Sequence, residues 1–317
     1  MHDIITITLN PALDKSTHVA QVLPEKKLRC NEPTYESGGG GVNVSRALKK
    51  LGGSSCAWVW VGGPSGKRLC ALLQSEGVDV WAVETKNWTR ENLMVMEDNS
   101  GNQYRFGMPG PYTYEDEWER CLKQLTQMPD EELPKFVVAS GSLPPGVPED
   151  FYSQLAGIAK ARGFKLLVDT SGDALLKAAG EGVYLLKPNI GELAALAGKE
   201  KISAMEQEEI AMQVINAGKC KVLVVSLGAR GAMLASKDGI SYVVPPIVPQ
   251  QSAVGAGDSM VAGMVLGLLN GNSLGDVARY GVAAGTAATM TPGSELCRQE
   301  DTDKIFRWLQ EHKVQQV

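Results

Sequence analysis

The sequence predicts an α/β protein: a doubly wound, mostly parallel sheet flanked by helices, with a small β-sheet lid. Three observations carry this. Short apolar runs without alternation recur along the chain. Longer helical patterns separate them, and two extended segments interrupt the rhythm.

The runs Ile4–Leu9, Ala57–Val61, Lys135–Ala139, Lys165–Val168, Val183–Leu186 and Val222–Val225 suit strands buried on both faces. Helices are expected over Val42–Leu51, Lys67–Glu76, Tyr114–Met128, Glu149–Arg162, Ile190–Ala197 and Ser203–Ala217. The interrupting segments are Ser16 to Glu36 and Glu91 to Met108; Asn99-Ser100-Gly101 marks a turn between two alternating strands in the second. A lid built from them needs its apolar face covered by ligand or by another subunit. The last third reads as helices rich in small residues: Gly255–Leu269, Leu274–Met290 and Asp301–His312. With no repeat or linker, residues 1–317 are expected to form a single domain whose lid comes from insertions at about 16–36 and 91–108.

Composition narrows the function. Of 317 residues, 44% are hydrophobic and 21% charged, as in ordinary globular proteins. A net charge of −5 argues against nucleic-acid or anionic-membrane partners. The amino terminus reads as a strand without a basic leader, and Asp258 interrupts the best apolar stretch, so a cytoplasmic location is expected. Six dispersed cysteines read as reduced thiols, and three scattered histidines make a histidine metal site or triad improbable.

Gly62–Lys67 lacks the spacing of a phosphate-binding P-loop, and no G-x-G-x-x-G follows the first strand. Two other glycine clusters are more informative. Ser37-Gly38-Gly39-Gly40-Gly41-Val42-Asn43 lets backbone approach a ligand closely, with Asn43 aimed at a sugar hydroxyl; a flexible loop with a helix cap is the plainer alternative. Val254-Gly255-Ala256-Gly257-Asp258 opens an apolar helix. Its bare N–H groups make an anion hole for a transferring phosphoryl group, and Asp258 is placed to accept a hydroxyl proton. An Asp that merely favours the helix dipole is the alternative.

Lys187-Pro188-Asn189-Ile190-Gly191-Glu192 ends a strand, where α/β sheets bind ligands. Asn189 and Glu192 offer sparse oxygen ligation suited to Mg2+, and Lys187 a phosphate partner; a capped helix with a surface Glu fits equally well. Ser226-Leu227-Gly228-Ala229-Arg230-Gly231 either wraps nucleotide phosphates or only turns the chain into a strand at Ala232–Ala235. Asp14 follows the first strand, and Lys27, Arg29, Arg90 and Arg105 fall in or beside the lid, where they either grip a phosphate or are only solvated charges.

These motifs, in this order, resemble the ribokinase-like (PfkB-type) carbohydrate kinases over essentially the whole chain. The resemblance extends through Lys27–Cys30, Trp88–Arg90, Gln103–Phe106, Ser140–Gly146 and Gly281–Thr289. It implies ATP and a small phosphorylated sugar as substrates, with fructose 6-phosphate phosphorylated at its 1-hydroxyl; tagatose 6-phosphate or fructose 1-phosphate is the alternative acceptor. A non-catalytic sugar-phosphate sensor is a remoter one.

By the same match Asp258 is the base, and the Gly255, Ala256 and Gly257 amides form the anion hole. Asp14, Gly39, Gly40, Asn43 and Ser142 hold the sugar, and Arg90 holds its phosphate, with Lys27 reaching from a partner subunit of a homodimer paired through the lid. Lys187, Asn189, Ser226, Leu227, Gly228, Ala229, Gly231, Val282 and Thr286 line the ATP site. Ser252-Ala253 replaces the Asp-Thr of many members, which bears on a potassium site at Ser252, Val254, Ala288, Thr291 and Gly293.

Overall fold

The computed structural model describes residues 2–312. The chain starts with β1 (Ile4–Thr8), then leaves for a second sheet through β2 (Ala12–Val19) and β3 (Thr34–Gly38). It returns by α1 (Gly40–Lys50), β4 (Cys56–Val61), α2 (Gly63–Ser75) and β5 (Asp79–Glu84). A second excursion supplies β6 (Arg90–Glu97) and β7 (Gln103–Phe106). Next come α3 (Glu115–Gln127), β8 (Phe136–Ser140), α4 (Phe151–Arg162), β9 (Lys165–Asp169), α5 (Gly172–Glu181) and β10 (Val183–Leu186). They are followed by α6 (Ile190–Leu196), α7 (Gln207–Asn216), β11 (Cys220–Ser226), β12 (Ala232–Ser236) and β13 (Gly239–Val243). Three helices close the chain: α8 (Ala256–Leu269), α9 (Leu274–Thr289) and α10 (Gln299–Glu311).

The main sheet runs β13-β12-β11-β10-β9-β8-β1-β4-β5, parallel from β11 to β5 and antiparallel only at β12 and β13. Every residue of β1 and β8 is buried, which explains their unbroken apolar runs. Isoleucines and valines of alternate parity point to opposite faces. Ile5, Ile7, Val137 and Leu166 meet one helix layer with Phe151 and Leu193, while Ile4, Val138 and Leu167 meet the other with Met264 and Ala284. The parallel register brings the carboxyl ends of β1, β8, β9, β10 and β11 to one edge, where the chain's glycine loops also lie.

The second sheet has the order β3-β2-β6-β7, with β2 and β6 parallel. It begins at Ala12 rather than Ser16, because Leu9-Asn10-Pro11 is all that separates it from β1. Leu93 to Met96 stay only half-buried and Phe106 is exposed.

The structure departs from the expected elements at particular points. Helix α5 was not expected: Gly172 at its start and Gly180 and Gly182 at its end dilute a short apolar stripe. Strand β5 lies at the sheet edge with several exposed residues, and β13 is short and only part-buried, so neither shows an apolar run. Helix α7 starts at Gln207 and α4 at Phe151, later than expected.

Helices α8 and α9 approach closely because glycines face each other. A Cβ on Gly263 would lie 2.8 Å from the Tyr280 carbonyl and 3.1 Å from Ala284 Cβ; one on Gly281 would lie 2.5 Å from Met264 Cγ. Gly263→Val is therefore expected to destabilise the protein by about 1–3 kcal/mol through overpacking. Urea unfolding checks this: a midpoint equal to wild type would show that the helices separate at no cost.

Candidate active site

Asp258 sits on the first turn of α8, behind Gly255 and Gly257. Gly255 caps the helix with φ 72°, and a Cβ there would lie 2.3 Å from Leu296 Cδ2. Glycine is thus required by both conformation and space. Leu296, fully buried, itself takes φ 69°, and its carbonyl accepts the Thr291 hydroxyl at 2.9 Å. The loop at 291–296 therefore braces the head of α8.

Asn43, on the first turn of α1, donates through Nδ2 to Asp258 Oδ2 at 2.9 Å. The two glycine clusters, 215 residues apart, thereby meet. Asn43 Oδ1 is buried without a partner. The glycines ahead of Asn43 are wedged tightly. A Cβ on Gly38 would lie 2.0 Å from Asp14 Oδ2, and one on Gly40 2.4 Å from Ser140 Oγ. Only bare backbone passes between β2 and β8.

Asp169, at the end of β9, was not foreseen. It forms a largely buried ion pair with Lys187 at 3.1 Å, beneath Gly257. A strand-ending acid carries no motif; only the parallel register that sets β9 beside β10 reveals it. Burial pushes the Asp258 carboxyl up to about 7, the nearby Asp169 charge adds to the rise, and Asn43 and Lys187 oppose it. Burial works against the Lys187 charge, yet Asp169, Asp258 and Glu192 more than offset it, so this ammonium is held charged. Glu192 is also raised, by burial first and then by Asp169.

Asn189 and Glu192 form a capping box: Asn189 Oδ1 accepts the Glu192 N–H at 2.9 Å, and Glu192 Oε2 accepts the Asn189 N–H at 2.8 Å. The plainer sequence reading thus describes the one side-chain oxygen of Asn189 and one of the two of Glu192. Asn189 also bridges Ser226 across β10 and β11. From there Leu227 N–H donates to the Gly231 carbonyl around an exposed turn at Gly228, Ala229 and Arg230, which leads into β12. Val282 lies buried on α9, and Thr286 lies part-buried one turn further on.

At the other end of the site, Asp14 accepts from Asn92 Nδ2 at 2.8 Å, and burial raises its pKa against the pull of Asn92 and Arg90. Arg90 donates to the Met108 and Asn10 carbonyls at 3.0 and 3.1 Å, while its Nε is buried without a partner. Ser142 is exposed and accepts from Asn10 Nδ2 at 3.1 Å. Lys27 projects, exposed, from the loop between β2 and β3. A cleft of about 240 Å³ separates the small sheet from the loops at 254 and 293, lined by Asp14, Glu36, Asn92, Arg105, Val254 and Ser294. Its floor is tied together: the Ser294 hydroxyl donates to Glu36, and buried Arg46 joins Glu36 to Glu76 and to the Ser37 carbonyl.

Near the cleft, the backbone N–H groups of Gln251 and Ser252 donate to the Thr289 carbonyl, and Thr291 Oγ1 donates to the Ala288 carbonyl. Ser252 Oγ accepts the Val254 N–H at 3.1 Å. Residues 252–254 and 288–293 are thus adjacent.

An open parallel sheet, a small side sheet, and a carboxylate heading a glycine-started helix together define a kinase of small alcohols. The chain belongs to the pfkB family of carbohydrate kinases, whose model matches residues 3–301. It is 46% identical to the ATP-dependent 6-phosphofructokinase isozyme 2 of Escherichia coli, over 96% of this chain and 98% of that one. The structure of Escherichia coli phosphofructokinase-2 in complex with potassium superposes with a TM-score of 0.93 at 46% identity, covering 98% of this chain and 100% of that one. The same protein in complex with fructose 6-phosphate gives 0.90 at 45%, with the same coverage.

The raised carboxyl has a consequence for stability. Folding lifts Asp258 from the ordinary 3.8 to about 7, so the folded state favours its proton. The stabilisation is complete below the unfolded value and lost as pH rises through about 7. Asp258→Asn removes that loss, and its thermal midpoint at alkaline pH is expected to rise by about 2–4 °C. Calorimetry at acid and alkaline pH tests this: an unchanged midpoint at both would contradict the raised pKa.

Proposed function

We propose that this chain transfers the γ-phosphoryl group of ATP to the 1-hydroxyl of fructose 6-phosphate, giving fructose 1,6-bisphosphate. The observation that carries the reading is Asp258 at the glycine-headed start of α8, hydrogen-bonded to Asn43 of the other glycine loop. A carboxyl poised near 7 is a fit proton acceptor at neutral pH. The Gly255, Ala256 and Gly257 amides would receive the charge that develops on the phosphoryl oxygens. Lys187, fixed by Asp169, would meet the nucleotide phosphates, with Asn189, Ser226 to Gly231, Val282 and Thr286 along the nucleotide.

At the other end, Asp14, Gly39, Gly40, Asn43 and Ser142 would hold the sugar and Arg90 its phosphate. The unpartnered Asn43 Oδ1 and Arg90 Nε favour this, since buried polar atoms are normally paired. Catalysis is mainly positioning and charge stabilisation. The small sheet acts as a lid that excludes water from the cleft.

Three carboxylates (Asp169, Glu192 and Asp258) share one buried cation, Lys187, so the site fits a further cation. Asn189 and Glu192 would hold Mg2+, mostly through water, and the bound ion supplies neutralisation of phosphate charge. The neutral oxygens of Ser252, Val254, Ala288, Thr291 and Gly293 suit potassium, in keeping with the potassium complex of the Escherichia coli relative. Half-buried Leu93 and Val95 and exposed Phe106, which share one face of the small sheet, suit a homodimer paired through the lids, with Lys27 lent across it. A cytoplasmic location accords with the absence, among the described residues, of a helix long and apolar enough to cross a membrane.

ADP release across a panel of ketose and aldose phosphates, with and without potassium, tests the assignment. Turnover should be highest with fructose 6-phosphate and fall without potassium; preference for tagatose 6-phosphate or fructose 1-phosphate would reassign the acceptor. Asp258→Asn should lower kcat at least ~10²-fold. The kcat/KM of the wild type should rise with pH and level off above about 7. Because Asp169 raises Asp258, Asp169→Asn should move that limb to lower pH; a limb that stays put would remove Asp169 from the site's electrostatics.

A further inference from the structure

We infer that Glu36 is a positioning residue for the transfer step: through Ser294 it sets the small sheet, which carries Asp14, against the head of α8, which carries the anion hole. This rests on the sugar-phosphate kinase reading above. Glu36 stands on β3 directly opposite Asp14 of β2, so the two carboxylates share one face of the small sheet. Both line the cleft, together with Val254, Gly293 and Ser294 from the opposite wall. Both Glu36 oxygens are already engaged within the protein: Oε2 accepts the Ser294 hydroxyl, and Oε1 lies 3.5 Å from Arg46 Nη2.

Each partner is fixed from behind. Arg46 of α1 is 4% exposed; its Nε donates to Glu76 at 2.9 Å and its Nη1 to the Ser37 carbonyl at 3.0 Å. Ser294 belongs to the loop at 291–296, where the Thr291 hydroxyl donates to the carbonyls of Ala288 and Leu296, each at 2.9 Å. Leu296 fills the space beside Gly255, where a Cβ would lie 2.3 Å from its Cδ2. A movement of Ser294 is therefore passed to Leu296 and on to the Gly255 amide at the head of α8. Glu36 stands just ahead of Gly39, where the small sheet joins α1, so the contact fixes the base of that sheet. The acceptor hydroxyl would be held from the small sheet and the phosphoryl group from α8. A misplacement of about 1 Å between reacting groups can cost ~10²-fold in rate. The contact thus acts on turnover and leaves the affinity for either substrate intact.

Steady-state kinetics, with calorimetric titration of fructose 6-phosphate, compare wild type with Ser294→Ala, Ser294→Thr and Glu36→Ala. In Ser294→Ala, kcat should fall about tenfold while KM and Kd for the sugar phosphate and KM for ATP stay within about threefold. Ser294→Thr keeps a hydroxyl and should restore kcat to within about twofold of wild type. Glu36→Ala should lower kcat at least as far, and the double variant no further than Glu36→Ala, since both changes remove one contact. Ser294→Ala carries the test if Glu36→Ala does not fold. The inference is overturned, with the kinase assignment left standing, by a Ser294→Ala kcat within about twofold of wild type or a loss confined to KM. It is equally overturned by Ser294→Thr as slow as Ser294→Ala, or by additive losses in the double variant. A wild-type enzyme that turns over no ketohexose phosphate overturns both.

Discussion

The structure depends on one electrostatic constraint: Asp258 must stay ionisable in a place that penalises its charge. Burial and Asp169 push its proton on; Asn43 and Lys187 pull it off. Each of the four groups comes from a different element, α8, the end of β9, α1 and the end of β10. The order of strands in the sheet is what assembles them. A carboxylate poised between its two states suits a group that must take a proton and give it up again.

Bare backbone is the second constraint. Gly38 and Gly40 are pressed between Asp14 and Ser140, and Gly255 against Leu296. Any side chain at these points would separate the small sheet from β8 or lift the head of α8 from its brace. The chain thus gives up conformational economy at these glycines to bring two loops within hydrogen-bond reach of each other.

Much of this was legible in the sequence. Strands buried on both faces announce themselves as continuous apolar runs, and Val183–Leu186 matches β10 residue for residue. Both glycine loops, Asp258 and Asn43 were readable because glycine, helix start and polar residue fall in fixed succession. What escaped notice depends on neighbours in space. Asp169 has meaning only beside Lys187. Asn189 and Glu192 show the converse: their spacing serves a helix cap as readily as an ion, and the cap is formed without excluding the ion proposed above. Edge strands β5 and β13 were obscure because half-exposed strands lose the apolar signal.

The glycine contact between α8 and α9 has a mechanical corollary. With Gly263 and Gly281 seated against the opposing helix, neither can slide past the other without a clash, so the proton acceptor is anchored to the rigid body of the main sheet. Freedom is left to the four-stranded sheet, which is joined to that body by short strand-to-strand and strand-to-helix links at Asn10-Pro11, Gly39, Thr85–Thr89 and residues 107–114. On these links the small sheet could close the cleft only by swinging as a body, not by a shear of the helical layer.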